Sequence, residues 1–80
     1  MKCRIKAFGI SKDIIGSKVL ELDLPEGSTV QDLKNELFEK FTAFAELKSL
    51  YVALNNEYAE GTVLLKEGDE IALIPPVSGG

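Results

Sequence analysis

Few residues in this 80-residue chain are equipped for chemistry. There is no histidine, which excludes Ser-His-Asp and Cys-His nucleophilic sites and any imidazole metal ligand. The single cysteine, Cys3, alternates with Ile5 and Ala7. That period of two puts it on the apolar face of a strand, where a free thiol behaves as a small hydrophobe. Thirteen carboxylates remain, but most alternate with apolar residues or sit in turns, as a solvated face does. No catalytic pair and no metal site is read among them. The chain closes on the run Ile71-Ala72-Leu73-Ile74-Pro75-Pro76-Val77-Ser78-Gly79-Gly80. A terminal diglycine alone is commonly a frayed end. Here it follows directly on a strand-like segment and two prolines.

The residue types in that run bear on how the chain leaves the last strand. Gly79 and Gly80 lack Cβ, so the chain is thin there and free to adopt conformations closed to other residues. Pro75 and Pro76 donate no ladder hydrogen bonds; they end the strand and bias the exit toward an extended path. From Pro76 to Gly80 an extended chain reaches roughly 13–14 Å. The sequence therefore divides into a folded domain, residues 1–76, and a flexible tail, residues 77–80.

The elements that must hold this tail are legible from periodicity. Residues 2–8 alternate, with Cys3, Ile5 and Ala7 on one face and Arg4, Lys6 and Phe8 on the other. The stretch GISKDIIGS reads as a hairpin loop, and Leu20, Leu22 and Leu24 mark a second strand with their side chains inward. Pro25 and Gly27 break it. From Ser28 the period turns helical: Ser28 is the expected N-cap, with Gln31 completing a capping box, and Val30, Leu33, Leu37 and Phe41 form the apolar stripe. The helix is expected to end near Thr42, with Glu36 and Lys40 in the favourable i,i+4 order. A strand over 50–54, a turn at Asn55-Asn56, a short strand within 59–65, a turn at Gly68 and a last strand over 70–74 complete the order β-β-α-β-β-β. This is an α+β domain in which one main helix covers a mixed sheet of about five strands.

Composition bounds the rest. With 45% hydrophobic and 28% charged residues, the chain forms one small soluble domain. A net charge of −4 argues against nucleic acid and anionic membrane as partners. No apolar run approaches the length of a membrane helix. The N-terminus has no apolar signal region, and one unpaired cysteine fits a reducing compartment, so a cytoplasmic location is expected.

The segments LPEGSTVQDL and LKEGDEIALIPPVSGG, in this order of elements, resemble the MoaD/ThiS family of β-grasp (ubiquitin-like) sulfur carriers, and most of all its molybdopterin synthase small subunits. The resemblance spans essentially the whole chain and is weakest over residues 42–60. It implies that the Gly80 carboxylate is adenylated with ATP by a ubiquitin-activating-type adenylyltransferase, then converted to a thiocarboxylate by a sulfur donor enzyme. In the synthase large subunit that sulfur passes to precursor Z (cyclic pyranopterin monophosphate), and two rounds build the dithiolene of the molybdenum cofactor. The same resemblance implies a heterotetramer with the large subunit, no cofactor bound by the carrier itself, and no catalysis by the carrier alone. A carrier for thiamin thiazole synthesis, a protein modifier attached through an isopeptide bond, and an interaction module with an inert tail are the alternatives.

Strand parity adds one further expectation. If Cys3, Ile5, Ile71 and Leu73 face the helix, Phe8 and Ile74 point to the opposite face. In a β-grasp sheet the first and last strands are parallel neighbours, which brings these two residues together at the root of the tail. Phe8, Ile74, Pro75, Pro76, Val77 and Ser78 are accordingly expected to contact the partner, unless loop residues such as Ile10 cover Phe8.

Overall fold

The structure, a computed structural model, describes residues 1–47 and 50–74. The tail residues Pro75, Pro76, Val77, Ser78, Gly79 and Gly80, and with them the expected boundary at residue 76, lie outside the described residues. The elements are β1 (Lys2–Ala7), α1 (Ile10–Ile15), β2 (Val19–Asp23), α2 (Val30–Lys40), a 3-10 turn (Thr42–Glu46), β3 (Tyr51–Leu54), β4 (Glu57–Ala59) and β5 (Ile71–Ile74). They build one five-stranded sheet in the order β2-β1-β5-β3-β4. The central pair, β1 with β5, is parallel, with Ile5 opposite Ile71 and Ala7 opposite Leu73. The other pairs are antiparallel, so the sheet is mixed, as expected.

Alternation decides which face of the sheet is covered. Cys3, Ile5 and Ala7 of β1 and Ile71 and Leu73 of β5 are all buried, against Val30, Leu33 and Leu37 of α2. Each such large side chain stabilises the fold by about 1.5–3 kcal/mol through water it no longer orders. Phe41 is only half-buried, because the helix stops at Lys40 and the chain turns into the 3-10 segment. That segment drives Phe44 into the core, where it meets Phe38 and Phe41 edge-on at ring distances of 6.5 and 6.1 Å.

Three local expectations are corrected. The stretch read as a hairpin loop contains α1, ended by Gly16 at φ 84, whose N–H donates to the Lys12 carbonyl. Its inward residues are Ser11, Ile14 and Ile15, so the periodicity is masked by a buried serine. The capping box belongs to Thr29 and Asp32 rather than Ser28 and Gln31: the Asp32 N–H donates to Thr29 Oγ1 and the Thr29 N–H to Asp32 Oδ2. Ser28 is buried, and its hydroxyl donates to the Pro25 carbonyl at 2.6 Å. Finally, the strand expected within 59–65 is β4 at 57–59. The residues after it form a loop whose Val63 and Gly61 carbonyls accept from the Val30 and Gln31 N–H groups. The first turn of α2 thus finds acceptors that its own helix cannot supply. Glu36 and Lys40 make no ion pair; among the described residues, the single pair within 4.0 Å joins the Met1 amine and Asp23.

The turns anticipated at Asn55-Asn56 and Gly68 are present, with φ of 51°, 71° and 89°. They are tied together. The Glu70 N–H donates to Asn55 Oδ1, and Asn55 Nδ2 donates to Asp69 Oδ1. This lock fixes the start of β5, the strand that leads to the tail.

Candidate functional site

The sheet face opposite α2 carries the candidate site. Its residues are those that parity excludes from the core: Lys6 on β1, Ala72 and Ile74 on β5, Tyr51 and Ala53 on β3, Tyr58 on β4. The register brings them into rows, with Ala72 between Lys6 and Ala53, Ala53 beside Tyr58, and Tyr51 opposite Ile74. Phe8 follows Ala7, the last registered residue of β1, and stands beside Ile74.

Side-chain size shapes this surface. Ala72 and Ala53 are small and lie in the middle; Phe8, Tyr58 and Ile74 are large and lie around them. The result is a shallow open depression of about 400 Å³, largely apolar, with Lys6, Asn56 and Glu70 also in its lining. Phe8 is 51% exposed and Tyr58 74% exposed. Tyr51 and Tyr58 support each other edge-on, with ring centroids 5.8 Å apart. Ile10 is itself 47% exposed and does not cover Phe8, so the aromatic ring remains available. Aromatic side chains exposed beside an aliphatic one, over a rigid sheet, form the kind of surface that gains most by docking.

Of the expected site residues, the structure brings Phe8 and Ile74 together at the end of β5; the other six belong to the tail outside the described residues. Tyr51 and Tyr58 were missed from the sequence. The signal for Tyr51 was present, since Val52 and Leu54 alternate inward and leave Tyr51 and Ala53 facing out.

Cys3 lies where its alternation put it, 3% exposed and opposite Leu22. Burial pushes its thiol above the ordinary value, and the N-terminal amine offsets this only in part, against Asp23, Asp69 and Glu67. A neutral thiol inside the core is a poor nucleophile. Among the described residues no cluster of three or more His, Cys, Asp or Glu is placed to hold a metal ion, and no helix is long and apolar enough to cross a membrane.

Comparison with known proteins adds three likenesses and a family. The family model described as the ThiS family matches residues 5–80. The molybdopterin synthase sulfur carrier subunit of Arabidopsis thaliana is 37% identical over 81 residues, covering 100% of this chain and 84% of the relative. The crystal structure of SAMP1 from Haloferax volcanii superposes with a TM-score of 0.84 at 28% identity, covering 100% of both chains. A chain in the protein–protein complex of subunits 1 and 2 of molybdopterin-converting factor from Helicobacter pylori 26695 has a TM-score of 0.69 at 28% identity, again over 100% of both chains.

Proposed function

The chain belongs to the ThiS family, as a β-grasp sulfur carrier of the molybdopterin synthase type, and on that premise we propose that it carries its sulfur as a thiocarboxylate on Gly80. It is a donor subunit in molybdenum cofactor biosynthesis rather than an enzyme in itself, and it acts with a large-subunit partner.

A carboxylate is a poor acyl donor because its charge and resonance repel nucleophiles. Adenylation by a ubiquitin-activating-type enzyme, at the expense of ATP, replaces that oxyanion with a leaving group. Hydrosulfide delivered by a sulfur donor then attacks the acyl-adenylate, AMP departs, and a terminal thioacid remains. It passes its sulfur to cyclic pyranopterin monophosphate in the large subunit, water hydrolyses the acyl–sulfur bond, and the carrier leaves with its carboxylate restored. In this scheme residues 77–80 are the tail, Gly79 and Gly80 keep it thin, and Pro75 and Pro76 launch it. The observation that carries the reading is the exposed Phe8 beside the half-buried Ile74 at the end of β5, which supplies a grip for the partner where the tail begins. Positioning and electrostatic stabilisation of the reacting atoms fall to the partner. The assembly proposed is a cytoplasmic heterotetramer of two carriers on a dimer of large subunits.

Incubation with ATP, the activating enzyme and a sulfur donor tests this. The intact mass should rise by the difference between one sulfur and one oxygen, and deletion of Gly80 should prevent the rise without altering the fold. An unchanged mass with a competent activating enzyme contradicts the proposal. A second reading, attachment to other proteins through an isopeptide bond, is favoured by the likeness to the small archaeal modifier SAMP1. Lysine-linked conjugates recovered from cells would distinguish it.

A further inference from the structure

Beside the depression on the sheet face lies a second one, of about 410 Å³, around the end of β1. Its floor is apolar, made by Ala7, Phe8 and Val19. Its rim holds three lysines from three separate elements: Lys6 on β1, Lys12 on α1 and Lys18 in the turn leading to β2. Backbone bonds fix this convergence. The Ala7 N–H donates to the Lys18 carbonyl at 2.8 Å, Lys6 lies opposite Val19, and the Gly16 N–H donates to the Lys12 carbonyl at 2.7 Å.

The charge balance at this place is unlike that of the whole chain. The protein carries a net charge of −4, yet three of its nine Lys and Arg residues ring one depression. All three are exposed, and none has a carboxylate within 4.0 Å among the described residues. The other described lysines are equally without an ion pair, so what sets these three apart is that separate elements bring them around one depression whose lining holds no Asp or Glu. Lys6 and Phe8 also line the first depression, so the two form one continuous surface, apolar toward Ile74 and cationic toward α1.

We infer that the lysine-ringed depression receives a carboxylate-bearing segment of the large subunit, with an apolar side chain seated on Phe8. This rests on the docking reading above and adds the chemistry of the partner surface. Lysine ammonium groups around an apolar floor attract carboxylates while the partner is still approaching, and Phe8 holds the complex once formed. The electrostatic part of docking therefore governs how fast the carrier finds its partner more than how long it stays.

The test is stopped-flow association of the full chain with the large subunit at low and at physiological ionic strength. The triple variant K6E/K12E/K18E should lower the association rate constant at low salt by about tenfold or more and flatten its salt dependence. The control K34E/K40E/K66E carries the same net charge, with changes on α2 and in the loop before β5, and should stay within about twofold of wild type. All three rim lysines are exposed, so folding should survive; the neutral set K6Q/K12Q/K18Q gives the same direction with a smaller loss if reversal disturbs it. Equal losses in both charge-reversal triples, or no loss in the rim triple, would overturn this inference while wild-type binding stands. Failure of wild type to associate would overturn the docking reading, and this inference with it.

Discussion

Replacing Phe8 by Ala removes the largest side chain at the root of the tail, and the structure sets the size of the effect. The ring is 51% exposed in the free protein, and a Phe side chain offers 150–250 Å², so about 100 Å² is available to a partner. At about 25 cal/mol per Å² this is worth about 2.5 kcal/mol, and alanine retains a small part of it. The dissociation constant for the large subunit should rise about 30-fold, a loss of about 2 kcal/mol. Folding stability should fall less, by about 1 kcal/mol, because Phe8 lies outside the buried cluster. Isothermal titration calorimetry gives the affinity, and urea unfolding of the same samples gives the stability. A folded Phe8→Ala protein that binds within about twofold of wild type would refute the assignment of this face.

Other perturbations separate the scaffold from the site. Ser11 is fully buried and its hydroxyl has no hydrogen-bond partner among the described residues, so Ser11→Ala should raise stability by about 1 kcal/mol in thermal unfolding; a loss would mean the hydroxyl is satisfied. Thr29→Ala removes the acceptor for the Asp32 N–H and should cost about 1 kcal/mol, read by the same melt. Cys3→Val should leave sulfur transfer intact, since the thiol faces the core. The Cys3 thiol is raised in the folded state, so the unfolded chain ionises first as pH climbs past 9.0. Wild type should then lose stability toward high pH more steeply than Cys3→Val, and parallel curves would contradict that.

The strands were legible because alternation is a short-range signal: Cys3, Ile5, Ala7, Ile71 and Leu73 each take the face their parity assigns. Helix α2 was legible through Val30, Leu33 and Leu37. Helix α1 was not, since a six-residue helix between two glycines, with a buried serine on its inner side, has no apolar stripe to display. The choice between Ser28 and Thr29 as cap depended on a contact distant in sequence, the Leu65 N–H donating to the Ser28 carbonyl, which no local pattern contains. For the same reason the sequence showed Phe8 and Ile74 but not their neighbour Tyr58. Its place depends on the β3–β4 register, and only pairing across the sheet sets it beside Ala53.

All of these features serve one claim, that the reactive group is the main-chain terminus of Gly80 and that no side chain of the domain takes its place. The most direct measurement is a single turnover of thiocarboxylated protein with the large subunit and cyclic pyranopterin monophosphate, followed by intact and tandem mass spectrometry. The account predicts that the sulfur starts on Gly80, that its loss restores the carboxylate mass, and that this keeps pace with dithiolene formation. Sulfur found on Cys3, or dithiolene formed while Gly80 keeps its sulfur, would contradict it.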